Sequence, residues 1–231
     1  MSATEATAGV APEHGRVISP HDPHKLGHHH GGHGNGTGTG VSGPASKRII
    51  VGYGFWIFLL SDIIMFSAIF ATYAVLQSET NGGPTGRQLF DLGNVAVETV
   101  ALLLSSFACG LAIIAAQARN VLWTQIGLLV TGLLGAVFLG LELKEFAEMI
   151  NHGAGPDRSA FLSGFFTLVG CHGAHVTAGL LWLGTMMAQI YAKGFRPNIM
   201  RRLLCFSLFW HALDIIWVAL FTIVYLLGAG Q

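Results

Sequence analysis

Residues 161–192 read FLSGFFTLVGCHGAHVTAGLLWLGTMMAQIYA, a run without proline and without any Asp, Glu, Lys or Arg. A helix needs about 20 apolar residues to cross a hydrocarbon core, and this run exceeds that length. Its residues are continuously apolar rather than alternating, which excludes a β-barrel strand. Four further runs of the same kind lie outward from it, at about 49–76, 95–118, 121–148 and 203–228. The prolines fall outside all five: four precede residue 47, and Pro84, Pro156 and Pro197 lie in connections. The expected fold is therefore all-α, a polytopic membrane bundle of five transmembrane helices spanning residues 47–231. Composition agrees: 52% of residues are hydrophobic, mean hydropathy is +0.58, and 10% are charged, against roughly 25% in soluble domains.

Residues 1–46 differ sharply, with ten of the 31 glycines, four of the seven prolines and seven of the 11 histidines. Such a segment cannot bury enough apolar surface to offset ordering entropy, so a disordered tail is expected. It lacks the apolar stretch of a secretory leader. His21–His33 could bind a divalent metal loosely, but no spacing fixes a coordination geometry.

Twelve Lys+Arg balance twelve Asp+Glu. No basic excess points to nucleic acid. Cys109, Cys171 and Cys205 lie in or beside apolar runs without a CxxC, so neither a disulfide framework nor a zinc knuckle is indicated. Basic residues near the span ends set orientation. Lys47, Arg48, Arg119, Lys193, Arg196, Arg201 and Arg202 lie on one side, and Arg87, Lys144 and Arg158 on the other. The N-terminus is expected in the cytoplasm and the C-terminus on the periplasmic face of a bacterial inner membrane. About two residues separate the second and third runs, which forces a helical hairpin. Gly127, Gly132, Gly135 and Gly140 thin the third helix for close approach.

Ionisable groups inside a bilayer are costly, about 2.5–3.5 kcal/mol at a helix centre, so each needs a partner. The candidates are Asp62, Glu98, Glu142, His172, His175, His211 and Asp214. His172 and His175 share one helix face at i,i+3, and His211 and Asp214 repeat that spacing. Two such pairs suggest a metal, yet a di-iron bundle needs four carboxylates and two Glu-x-x-His motifs, and none occurs. A bis-histidine haem is conceivable from one histidine on each helix. The expectation is instead a single interhelical hydrogen-bond cluster of His172, His175, His211 and Asp214, with no metal and no cofactor in this chain. Asn81–Gly86 is turn-rich but lacks the context of a phosphate-binding loop, and no Ser-His-Asp or Cys-His nucleophile stands out.

Six motifs in register then resemble subunit III of the haem–copper oxidase superfamily. They are Phe55-Trp56 with Ser61-Asp62, Val97-Glu98-Thr99, Glu142-Leu143-Lys144-Glu145-Phe146, Gly155-Pro156-Asp157-Arg158-Ser159, Cys171-His172-Gly173-Ala174-His175-Val176, and Phe209-Trp210-His211-Ala212-Leu213-Asp214-Ile215-Ile216-Trp217. The similarity covers about residues 48–229. Five spans rather than seven, a polar His-rich start and Gly82–Gly86 resemble most the cytochrome o ubiquinol oxidase branch.

The resemblance implies an accessory subunit of a proton-pumping quinol oxidase. The haems and copper would sit in subunit I, the chief partner, and this chain would supply packing surface, bound phospholipid and an oxygen route. Alternatives are subunit III of an a-type quinol or cytochrome c oxidase, a self-contained metalloprotein using His172, His175 and His211, or a small transporter along Asp62, Glu98 and Asp214. For Glu98 two accounts compete: a first-turn carboxylate reached by interfacial water, or, as the resemblance implies, a buried group tied to lipid binding and sustained turnover.

Overall fold

The computed structural model describes residues 47–80 and 92–226. The expected disorder of 1–46, the loop Asn81–Gly86 and Arg87 lie outside them. Five helices follow in order: α1 Lys47–Leu76, α2 Leu92–Gln117, α3 Val121–Asn151, α4 Ala160–Lys193 and α5 Pro197–Leu220, the last continuing as a π-helical turn over Phe221–Leu226. All five are long and apolar enough to cross a membrane, and no strand occurs among the described residues.

The bounds depart from expectation by three residues or more at two starts and at the end of α3, which reaches Asn151. α2 begins at Leu92, and α5 begins at Pro197, six residues ahead of the expected 203. Pro197 therefore belongs to α5 rather than to the connection. Its missing N–H and fixed φ suit a first helical position, so the charged segment through Arg202 is already helical. Arg119 and Asn120 make the hairpin turn between α2 and α3. Arg119 takes φ 59°, a conformation that glycine or asparagine adopts more cheaply. Asn120 caps α3 by accepting from the Trp123 amide at 3.3 Å. Ser159 caps α4 likewise, accepting from Leu162 at 3.2 Å.

α5 is the central helix, packed on α1, α2 and α4. In the most apolar window of α5, 56% of residues are buried within the chain, against 11% for α1. The core centres on Trp210, which is 1% exposed. A Cβ built on Gly135 of α3 would come within 2.8 Å of its ring, and one on Gly179 of α4 within 2.9 Å. The indole thus lies against two bare helix backbones. Its Nε1 donates to Ser105 Oγ of α2 at 2.8 Å, and Ser105 Oγ donates to the Thr131 carbonyl of α3 at 3.2 Å. One side chain ties four helices together.

Of the four glycines expected to thin α3, three do so. Gly127 abuts Ala112 of α2, Gly132 abuts Leu183 of α4, and Gly135 abuts Trp210. Gly140 faces open space, with nothing within 4 Å of an added Cβ. Replacing Gly179 by Leu should overpack the core by about 1–3 kcal/mol, whereas Gly140→Leu should leave the chain's stability unchanged. Denaturant titration of the two variants in detergent micelles checks the contrast.

Candidate functional site: an intramembrane polar network

α2 places Glu98 in its second turn, and the side chain is 1% exposed. The hydrated, first-turn account of this carboxylate is thereby overturned: with the start of α2 fixed at Leu92, the group lies inside the bundle. Its Oε2 has no hydrogen-bond partner among the described residues.

α3 brings Glu142 (2% exposed) and, one turn on, the half-buried Glu145 to the same interior. The Glu142 carboxyl is seated on Gly173 of α4, where a Cβ would meet Oε1 at 3.2 Å. Glu98, Glu142 and Glu145 lie within electrostatic reach of one another and of Tyr225 in the π-helical turn. Tyr73 of α1 adds a second buried phenol, 1% exposed. Neither Glu98 nor Glu142 forms an ion pair among the described residues; the pair Lys144–Glu148 is exposed, at 3.5 Å. Three carboxyls and two phenols in an apolar enclosure are groups that can hold and pass protons.

His172 is fully buried, its ring tilted against Trp217 at 5.1 Å and edge-on to Phe138 at 5.7 Å. Its Nε2 donates to the Leu213 carbonyl of α5 at 3.3 Å, so Nε2 carries a proton, while Nδ1 has no hydrogen-bond partner among the described residues. His175 uses Nδ1 to donate to the Cys171 carbonyl of its own helix at 2.8 Å, and its ring meets Phe66 of α1 at 5.2 Å. His211 turns to α2 instead, with Nδ1 2.7 Å from Ser106 Oγ, a hydroxyl that Asp214 also approaches. Asp62 is half-buried on α1, within electrostatic reach of Cys171.

The hydrogen bonds do not join His172, His175, His211 and Asp214 into the expected single cluster; His175 bonds within α4, and the other three form two separate interhelical contacts. His172 joins α4 to the backbone of α5, and His211 with Asp214 joins α5 to α2. The reason is helical phase: one residue turns the helix by about 100°, so the ring of Trp210 lies against Gly135 and Gly179 while His211 reaches the Ser106 side of α2. Trp217, one turn beyond Asp214, donates from Nε1 to Thr99 Oγ1 of α2 at 3.1 Å.

Sequence reasoning singled out Glu142 but did not anticipate Glu145, Ser105, Ser106 or Tyr225 beside the candidates. The i,i+3 pair Glu142/Glu145 and the adjacent serines within an apolar run carried the signal, since neither belongs on a lipid-facing surface. Among the described residues no three His, Cys, Asp or Glu side chains converge as a metal-ligand set.

Five long apolar helices that bury their few polar groups against one another define a polytopic membrane subunit. Residues 35–229 match the family model described as cytochrome c oxidase subunit III, and the chain belongs to that family. Its members are accessory subunits of haem–copper oxidases. The chain is 47% identical to a cytochrome bo(3) ubiquinol oxidase subunit 3 of Pseudomonas aeruginosa over 219 residues, covering 92% of this chain and 98% of that protein. It is 51% identical to the protein of the same name from Pseudomonas putida over 175 residues, 76% of this chain and 84% of the other. With a quinol oxidase subunit 3 of Bacillus spizizenii it shares 40% over 201 residues, 87% and 98% of the two chains.

A double-mutant cycle of Ser106→Ala with His211→Ala should show a coupling of about 0.6 kcal/mol, and no more than about 1.7. The matching cycle of His172→Ala with His211→Ala should show none. Denaturant titration in detergent measures both.

Proposed function

We propose that the chain is subunit III of a proton-translocating ubiquinol oxidase in a bacterial inner membrane. The observation that carries this reading is the 47% identity spanning 98% of a relative named as that subunit. The chain contributes no redox centre of its own. It packs on subunit I, which holds the haems and copper, and it binds phospholipid and stabilises the assembly, with an oxygen route as a further contribution. The ordered motifs and the interhelical hydrogen bonds of His172 and His211 support an accessory, packing role. The excess of basic residues at one end supports a cytoplasmic N-terminus and a periplasmic C-terminus.

Within this role the buried acids Glu98, Glu142 and Glu145 act on the durability of turnover rather than on the chemical step. Affinity purification through this chain should bring the other oxidase subunits with it, and the isolated chain should show no stoichiometric haem spectrum. In the assembled enzyme, Glu98→Gln should keep haem content and initial quinol oxidation while turnover decays faster than in the unaltered enzyme. Oxygen-electrode traces followed over many turnovers make the measurement. Immediate loss of all activity would instead place Glu98 in the catalytic path.

A further inference from the structure

Between α1 and α5 lies a cavity of about 570 Å³. Its lining runs from Trp56 to Phe70 along α1 and from Leu208 to Ile223 along α5, a length of about 20 Å at 1.5 Å per residue. Volume and length together give a mean cross-section of about 30 Å². A helix is about 10 Å across before neighbours are counted, so the cavity is too narrow for a partner's transmembrane helix. It is wide enough for a single hydrocarbon chain or a flat ring set edge-on.

The walls are apolar, with Leu59, Ile63, Phe66 and Phe70 on one side and Ile216 and Ala219 on the other. Ser67 also lines it, but its hydroxyl donates to the Ile63 carbonyl of its own helix at 2.8 Å. One ionisable side chain borders the space, His211. It is the fifteenth of the thirty residues of the span Pro197–Leu226, which puts the imidazole at mid-membrane depth. Ser106 holds the ring from the α2 side, with Oγ 2.7 Å from Nδ1. The half-buried ring also borders a second hollow beside Ser106 and Gly110. His211 is thus a polar partition fixed by one neighbour and bordering the long apolar cavity.

Depth decides what such a cavity can hold. A phospholipid keeps its headgroup at the membrane surface, about 15 Å of hydrocarbon away from the midplane. Bringing a charge to that depth is costly, so a phosphate, ammonium or carboxylate head does not reach His211. A plain hydrocarbon fills the space but gives the imidazole nothing to pair with. A neutral ring that carries hydroxyls on a long apolar tail satisfies both. A phenolic hydroxyl donates and accepts, so it pairs with either tautomer of the imidazole. An apolar pocket with a few placed polar groups is the usual form of a small-molecule site.

We propose that the α1–α5 cavity binds a prenylated quinol, with a ring hydroxyl on His211 and the tail along the apolar walls. Ser106 is a positioning residue that holds the imidazole at the cavity edge. The site binds and performs no chemical step. The inference rests on the quinol-oxidase reading above, to which it adds a place within this chain where quinol is held.

The test uses decylubiquinol carrying a diazirine in its tail, photolysed under argon with the full chain in detergent and with the assembled oxidase. Labelled peptides are read by mass spectrometry. The label should fall on α1 and α5, and excess decylubiquinol should compete it away while decylbenzene should not. His211→Phe should lower labelling about fivefold, the worth of one hydrogen bond, and His211→Gln should restore part of it. Ala219→Phe, which narrows the cavity and leaves His211 and Ser106 in place, should lower labelling as well. It decides the matter where the histidine variants fail to fold. Leu129→Phe, on the lipid-facing side of α3, should change nothing.

Equal competition by decylbenzene, or unchanged labelling in Ala219→Phe and His211→Phe, would overturn the proposal. Displacement by phosphatidylethanolamine would assign the cavity to a membrane lipid and overturn it too. So would labelling that is present on the chain alone and absent from the assembled oxidase, because a partner subunit would then cover the cavity. Labelling that persists where affinity purification recovers no other subunit would support the site and count against the oxidase reading alone.

Discussion

A single indole fixes how the helices of this bundle can meet. Trp210 is large, and the two helices flanking it offer bare backbone at Gly135 and Gly179. In a membrane there is little hydrophobic gain from helix association, so close van der Waals packing and interhelical hydrogen bonds must supply it. Trp210 supplies both. Its ring fills the space the glycines leave, and its Nε1 enters the Ser105–Thr131 chain that links α2 to α3. Any rotation of α5 would break the hydrogen bond and drive the ring into a backbone.

The same phase determines the polar network. With Trp210 turned toward α3 and α4, His211 has to face α2, where Ser106 meets it. Trp217 then meets Thr99 on the same helix, and the carbonyl of Leu213 is presented to His172. Below this layer the acids of α2 and α3 approach the π-helical turn that ends α5. The network is thus a consequence of packing, with each polar group placed by a neighbouring large side chain or glycine.

Much of the architecture was legible in the sequence because bilayer thickness imposes a length on each span, and five long apolar runs admit few alternatives. The start of α5 was not, because Arg196 before it and Arg201 and Arg202 in its second turn make the segment look like a connection until Pro197 is read as a helix-initiating residue. The site was less legible than the fold. The i,i+3 spacing of His211 and Asp214 identifies a shared face but not the helix it meets, and a direction around an axis depends on every other contact. Glu98 shows a related difficulty: its place near the start of α2 does not say which side of the helix its neighbours cover, and only the packed bundle shows it buried. Gly140 resembles its neighbours Gly132 and Gly135 in sequence, yet only the packed structure distinguishes a close approach from an open face.

The shallow burial of α1 bears on how the protein is made. This first helix leaves the insertion machinery before any of its packing partners in α4 and α5 exists. With 11% of its most apolar window buried in the finished chain, it gives up little by waiting in lipid, and its stability there comes from partitioning alone. The remaining helices can collapse around Trp210 without it. Within the chain, the N-terminal helix is thus the one whose own packing asks least of its neighbours.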